Sequence, residues 1–197
     1  MKFIARKGAP DIPLELIEAQ ENDELVFFCG AGVSYPSGLP GFGGLVEAVY
    51  QNLHQEKDEL EEQAIKAGFY DRALGLLEAR TEEGNTTRIN LVRHEIINQL
   101  ELKSGANVDT HKALLQLSKT KTGNYRLVTT NVDHGFLTAE NAVIKRSDSA
   151  PKLPVPKSHK WASVVHLHGL IDKEQDPNGE HLVFTSGDFG SAYLTER

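Results

Sequence analysis

Apolar positions along this chain follow two patterns. Short continuous runs, rich in β-branched and aromatic residues, occupy Leu25–Cys29, Arg126–Thr130, Val164–His168 and Leu182–Thr185. Runs of this length and bias predict buried parallel strands. Between them the apolar residues recur at helical spacing. Phe42 to Leu53 is helix-compatible; Phe69, Ala73, Leu76 and Leu77 share one helical face, as do Ile89, Val92, Ile96 and Leu100, with Asn85 or Thr86 as candidate cap. A further helix is predicted from about Asp109 to Lys119, leading through a Gly123-Asn124 turn into the Asn131 strand, and a short helical turn after Asp133. Val143-Ile144 is a candidate fifth strand. The Pro- and Lys-rich stretch from Lys145 to Lys160 reads as an exposed loop, its Pro151-Lys152-Leu153-Pro154 either plain surface or a partner-docking segment. Gly187 to Tyr193 begins another helix.

Strands separated by helices imply right-handed crossovers within one sheet. The predicted fold is therefore α/β, Rossmann-like, with a mainly parallel sheet. One domain covers residues 1–197. Its α/β core spans about 25–54 and 109–197, interrupted by a helical insertion at about 58–103.

The residues at the strand ends carry the candidate chemistry. Leu25–Cys29 empties into Gly30-Ala31-Gly32-Val33-Ser34, followed by Gly38-Leu39-Pro40-Gly41-Phe42. Glycines in a strand–turn–helix unit let the backbone approach a phosphate, and a helix N-terminus offers free N–H groups. A pyrophosphate cradle fits; so does a plain tight turn. The spacing is not the dehydrogenase fingerprint, because no third glycine follows where it is expected. The second strand ends in Asn131-Val132-Asp133 and the third in His166-Leu167-His168-Gly169. In open parallel sheets, ligands lie beyond the carboxyl ends of the strands, so all three motifs are predicted to meet at one edge. The bland alternatives are an Asx turn or helix cap at Asn131–Asp133 and a hydrogen-bonded core histidine at His168.

Composition sets limits on partners. The chain has 197 residues, 25% of them charged and 39% hydrophobic, and a formal net charge of −7. That acidity, with no basic face or tail, argues against general nucleic-acid or anionic-membrane binding. It leaves room for a dinucleotide held by backbone N–H groups. A single cysteine, Cys29, can form neither an internal disulfide nor a thiolate zinc site, so a reducing compartment fits and no metal site is expected. His54, His94, His134, His159 and His181 follow no recognisable ligand spacing, and His111, at a helix start, is expected to be structural. Met1 to Pro13 holds no continuous apolar core of a leader, and no run approaches a membrane span. A cytoplasmic location is expected.

The ordered set G-A-G-V-S with G-L-P, then T-T-N-V-D, then L-H-G resembles the sirtuin family, from about Leu25 to the end of the chain. The resemblance implies NAD as substrate. It places the catalytic base at His168 and assigns Asn131 to the ribose or the attacking water. Gly30, Ala31, Gly32 and Ser34 go to the pyrophosphate, Pro40 and Phe42 to the cofactor loop, and Asp133 to the nicotinamide carboxamide. His166 has at most a supporting part. Two departures matter. The four-cysteine zinc module of protein-deacylating sirtuins is replaced by the polar turn Ile171–Glu180, and their P-D-F-R loop by Pro40-Gly41-Phe42-Gly43, which removes a charged clamp.

Without zinc, the chain looks closest to the NAD-hydrolysing sirtuin-like proteins of bacterial antiphage defence. The expected activity is then an NAD glycohydrolase releasing nicotinamide and ADP-ribose, controlled in a homo-oligomer or by a partner sensor or ATPase subunit or a fused sensor domain. The helices of 58–103 and the 145–160 loop would be the contact surfaces. NAD-dependent deacylation or ADP-ribosyl transfer, and a non-catalytic NAD- or ADP-ribose-binding assembly module, stay open. Four or five strands are few for such a sheet, so the chain is expected to be a fragment of a longer protein.

Overall fold

The computed structural model of the chain describes residues 2–3, 11–82, 89–140, 147–150, 152–153 and 163–195. In chain order, the strands are β1 (Lys2–Phe3), β2 (Ile12–Pro13), β3 (Phe27–Cys29), β4 (Leu127–Thr129), β5 (Ser147–Ser149) and β6 (Val164–His166). The helices are α1 (Leu14–Glu21), α2 (Phe42–Asn52), α3 (Glu59–Lys66), α4 (Tyr70–Glu82), α5 (Leu91–Gln99), α6 (Asp109–Ser118), α7 (Gly135–Ala139) and α8 (Ser186–Gly190). Ala31–Ser37 is a run of 3-10 turns, and Ser191–Thr195 continues α8 as a wider π-type turn. β1 and β2 form a small antiparallel pair. The other strands form a four-stranded sheet in the order β3-β4-β6-β5, all pairs parallel. The architecture is α/β and consistent with a Rossmann-like fold.

The register explains which face is buried. Cys29, Thr129 and His166 stand side by side, as do Phe27 and Leu127 one step back. This face packs under α6 and α7 through Leu115, Phe136 and Ala139. The opposite face carries Phe28, Val128 and Val165 in one row. Its outer end is bare: Phe28, on the edge strand, is 67% exposed.

The segment between β3 and β4 is helical, as its periodicity predicts. α2 buries Leu45, Val46, Val49 and Tyr50 on one side. α4 and α5 meet it with Leu74, Leu77, Val92 and Ile96. Each such aliphatic side chain contributes about 1.5–3 kcal/mol on burial. α3 opens on a capping box, with Asp58 accepting from the Glu61 N–H while the Glu61 side chain accepts from the Asp58 N–H.

Several expectations are corrected. Leu182–Thr185 is a buried extended segment, not a strand; its described tie to the sheet is Val183 N–H to the carbonyl of His168, beyond the end of β6 (3.0 Å). Within the predicted 145–160 loop, Ser147–Ser149 is instead the fourth strand of the sheet. Pattern reading missed it because Ser-Asp-Ser is neither apolar nor β-branched; pairing with β6 alone makes it a strand. Phe69 precedes α4 and is largely exposed, while Leu74 takes the core position. The α5 cap is Asn90, which accepts from the Arg93 N–H. The apolar faces of α4 and α5 are spent on the core, so they are not free contact surfaces. Asn85, Thr86, Val143-Ile144 and Pro151 and Pro154 lie outside the described residues.

Candidate active site

The carboxyl ends of β3, β4 and β6 lie side by side, β4 in the middle. Backbone bonds carry the alignment past the strand ends: Thr130 N–H to Cys29 O (3.1 Å), Leu167 N–H to Thr129 O (2.9 Å) and Ile171 N–H to Val132 O (3.0 Å). A cavity of about 240 Å³ opens there. Its polar wall is Ser34, Thr130, Asn131, Asp133 and His168. Phe42, Leu45, Val132, Phe184 and Phe189 are among the residues of its apolar wall. Of the residues predicted from sequence, Ala31, Ser34, Pro40, Phe42, Asn131, Asp133 and His168 all line it. Gly30 and Gly32, both exposed, flank Ala31 in the chain but are not part of its wall. A Cβ on Gly32 would meet no atom within 4 Å. Protein packing therefore does not require glycine there.

Four side chains at the polar end are bound to one another. The Ser34 hydroxyl donates to Asp133 Oδ2 (2.8 Å) and accepts from Asn131 Nδ2 (2.9 Å), and His111 Nε2 lies 3.2 Å away. Asp133 Oδ1 accepts the N–H of Gly135 (2.7 Å). All four side chains are buried. Gly135 is required by this crowding: a Cβ there would lie 2.2 Å from His111 Nε2 and 2.7 Å from Asp133 Oδ1. Ser34 was expected at a phosphate, yet its single hydrogen is committed to Asp133, so it has none to offer an anion while that bond stands.

The two histidines of the third motif part company. His166 is fully buried on the sheet; its Nδ1–H donates to the carbonyl of Asn131 (2.9 Å), and Nε2 has no partner. It braces the Asn131 backbone from beneath and is absent from the cavity wall. His168 reaches the cavity. Its ring stands edge-on to Phe189, centroids 5.1 Å apart, and near Tyr193 at 6.3 Å. Among the described residues its ring nitrogens have no hydrogen-bond partner. Gly169, directly after it, has φ +89°, and a Cβ would lie 2.7 Å from the carbonyl of His181. Glycine is obligatory there.

Burial pushes the ring pKa of His111, His166 and His168 below the ordinary histidine value. Asp133 acts upward on the first two, as does the bond to Asn131 on His166, without reversing the direction. All three rings are thus neutral at pH 7. The unfolded chain binds protons on these rings before the folded chain does, so stability is full above the unfolded value and declines as pH falls below it. The melting temperature is expected to fall as pH drops from about 7.5 to about 5.5, across the ordinary histidine value near 6.5. A flat thermal-denaturation profile over that range would contradict this protonation state. Burial also raises the Cys29 thiol, which is under the sheet and protonated.

Sequence reading missed four side chains in or around the site. His111, expected to be structural, is fully buried, and no sequence signal marked that its Nε2 would lie 3.2 Å from the Ser34 hydroxyl. Phe184 and Phe189 come from a segment that no motif marked. Arg93 on α5 anchors that segment, bonding Glu78 (2.6 Å), the carbonyls of Gly179 (2.9 Å) and Leu182 (3.1 Å), and Asp188. The spacing of Thr185 and Asp188 was a readable capping signal, and their box does open α8.

Fold and site define an α/β domain with a mixed polar and apolar cavity at the carboxyl edge of a parallel sheet. Among the described residues, no group of three or more metal-ligating side chains gathers, and no helix is long and apolar enough to cross a membrane. No protein-family model matches the chain. It is similar to the uncharacterized protein y4cA of Sinorhizobium fredii (strain NBRC 101917 / NGR234), 37% identical over 197 residues. That alignment covers 94% of this chain, and the chain spans 16% of the relative's length.

Proposed function

We propose that this chain is a sirtuin-like NAD glycohydrolase domain. The observation that carries the reading is the convergence of Asn131, Asp133 and His168 with Ala31, Pro40 and Phe42 on one cavity. These residues come from distant parts of the chain, and a dinucleotide is the ligand class their motifs predict. The open space at Gly32 supports close approach of a phosphate to the backbone.

In the reaction, the bond between ribose C1′ and the nicotinamide nitrogen breaks, and its electron pair neutralises the pyridinium. No general acid is needed. Water adds to C1′ and gives its proton to His168, which passes it to solvent. A neutral histidine whose ring nitrogens have no hydrogen-bond partner among the described residues suits that task. Asn131 Oδ1, unbonded among the described residues, accepts a hydrogen from the water or a ribose hydroxyl. The apolar wall receives the departing ring and excludes bulk water.

Two measurements test the reading. Nicotinamide release from NAD should occur without any acylated peptide and should not rise when one is added. Strict dependence on the peptide would make the protein a deacylase instead. Because burial lowers the His168 pKa, the acid limb of the rate profile should lie below about pH 6.5. A limb above the ordinary histidine value would remove His168 as the base. We further read the domain as the effector of a bacterial antiphage defence protein, active in an oligomer or with a partner sensor or ATPase, since unrestrained NAD hydrolysis would kill its host.

A further inference from the structure

The polar end of the cavity is a closed count of donors and acceptors. Ser34 owns one hydrogen and two lone pairs. The hydrogen goes to Asp133 Oδ2, one lone pair takes Asn131 Nδ2, and the third neighbour is His111 Nε2 at 3.2 Å. With its hydrogen spent, Ser34 can only accept from His111, so that ring carries its proton on Nε2. Nδ1 is then a bare acceptor, in agreement with its being buried without a partner. The other end of the chain of bonds is fixed by backbone, because Gly135 N–H holds Asp133 Oδ1 at 2.7 Å. The ring itself is held edge-on by Phe136, centroids 4.8 Å apart.

We propose that Asp133, Ser34 and His111 form a positioning relay that fixes the polarity of Asn131, so that Asn131 turns its carbonyl oxygen, not its NH₂, to the cavity. The site is thereby selective for a ligand group that gives a hydrogen there, a water molecule or a sugar hydroxyl. A carbonyl or phosphate oxygen would face an acceptor. Asp133 acts here through Ser34, and its carboxylate serves the relay before any ligand arrives. This inference rests on the hydrolase reading for its rate consequence only; the bonding pattern is a property of the protein alone.

The relay has a readout that is independent of activity. In Asp133→Asn the Gly135 N–H still demands an oxygen at the Oδ1 position, which places the new NH₂ against Ser34. Ser34 would then receive hydrogens from residues 131 and 133, and its own hydrogen must turn to His111 Nε2. The His111 proton has to move to Nδ1. Ring ¹⁵N chemical shifts of the labelled full chain distinguish these states. The expected result is a neutral Nε2–H ring in the wild type and a neutral Nδ1–H ring in Asp133→Asn. A wild-type ring protonated on Nδ1, or the same tautomer in both proteins, overturns the relay.

The rate arm uses Ser34→Ala, which removes the acceptor of Asn131 Nδ2 and cuts the relay while leaving residues 131 and 168 themselves unchanged. Loss of positioning on the scale of about 1 Å costs about 10²-fold in turnover. The expected result is a fall of that order in kcat with KM within about threefold, since ground-state binding is spared. Ser34→Thr, which keeps the hydroxyl, should recover most of the loss. Wild-type kcat in Ser34→Ala overturns the positioning role. If the wild type releases no nicotinamide, the hydrolase reading fails and the ring spectra alone decide the relay.

Discussion

Replacing His168 by alanine is expected to lower nicotinamide release by about 10²- to 10⁴-fold, the range for a lost general base. The fold should survive. The ring is only partly buried, and its described protein contacts are the edges of Phe189 and Tyr193, worth about 0.5–1.5 kcal/mol per aromatic pair. Asn131→Ala should lose turnover as severely, but with a larger stability cost, because Asn131 also donates to buried Ser34. One such hydrogen bond is worth about 0.5–1.5 kcal/mol. His166→Ala inverts the pattern. It leaves the Asn131 carbonyl without its donor beneath the sheet, so it should destabilise while keeping measurable turnover. The assay is nicotinamide release by the full-length protein, with circular dichroism to confirm folding. Wild-type turnover in His168→Ala would end the proposed mechanism.

The largest stability effect is expected from Arg93→Ala. This guanidinium is mostly buried and joins α4, through Glu78, to Asp188 at the start of α8 and to two carbonyls of the intervening loop. Removing it leaves two part-buried carboxylates, Glu78 and Asp188, without the guanidinium's positive charge. Breaking a buried pair in this way costs about 3–5 kcal/mol. Urea unfolding measures the loss, and a change under about 1 kcal/mol would show that Arg93 is not the tether. Phe184 and Phe189 ride on the tethered segment, so NAD turnover should fall before global unfolding. The same contact has a pH signature. Burial alone would raise the Asp188 carboxyl, but the Thr185 and Phe184 N–H groups and Arg93 outweigh it and hold it below its usual value. Its stabilisation is present above the unfolded value near pH 4 and lost as pH falls through the folded one.

Much of the candidate site's placement was legible because its parts are local. A glycine-rich turn after an apolar run, and Asn, Asp or His-Gly at the ends of two others, announce themselves through backbone requirements. Gly169 at φ +89° is the clearest, since its conformation and the His181 carbonyl both forbid a side chain. What pattern could not supply was which residues stand across from one another. His111 sits far from Ser34 in sequence and looks like an ordinary helix residue; only the packing of α6 against the turn after β3 brings Nε2 to the hydroxyl. Ser147–Ser149 has no strand character of its own and is extended because the β6 edge offers partners.

By itself, then, the order of apolar runs and helical periods determined an α/β chain with parallel strands and a helical layer, because burial period is written residue by residue. It also determined that Gly30–Ser34, Asn131–Asp133 and His168 would share the carboxyl edge, because consecutive parallel strands point the same way. Tertiary structure decided the rest: that Ser34 is spent inside the protein, that His166 braces and His168 faces the cavity, and that Arg93 holds the aromatic wall. Those outcomes depend on distances between groups remote in sequence, where a few tenths of an ångström decide whether a hydroxyl serves a ligand or a neighbouring carboxylate.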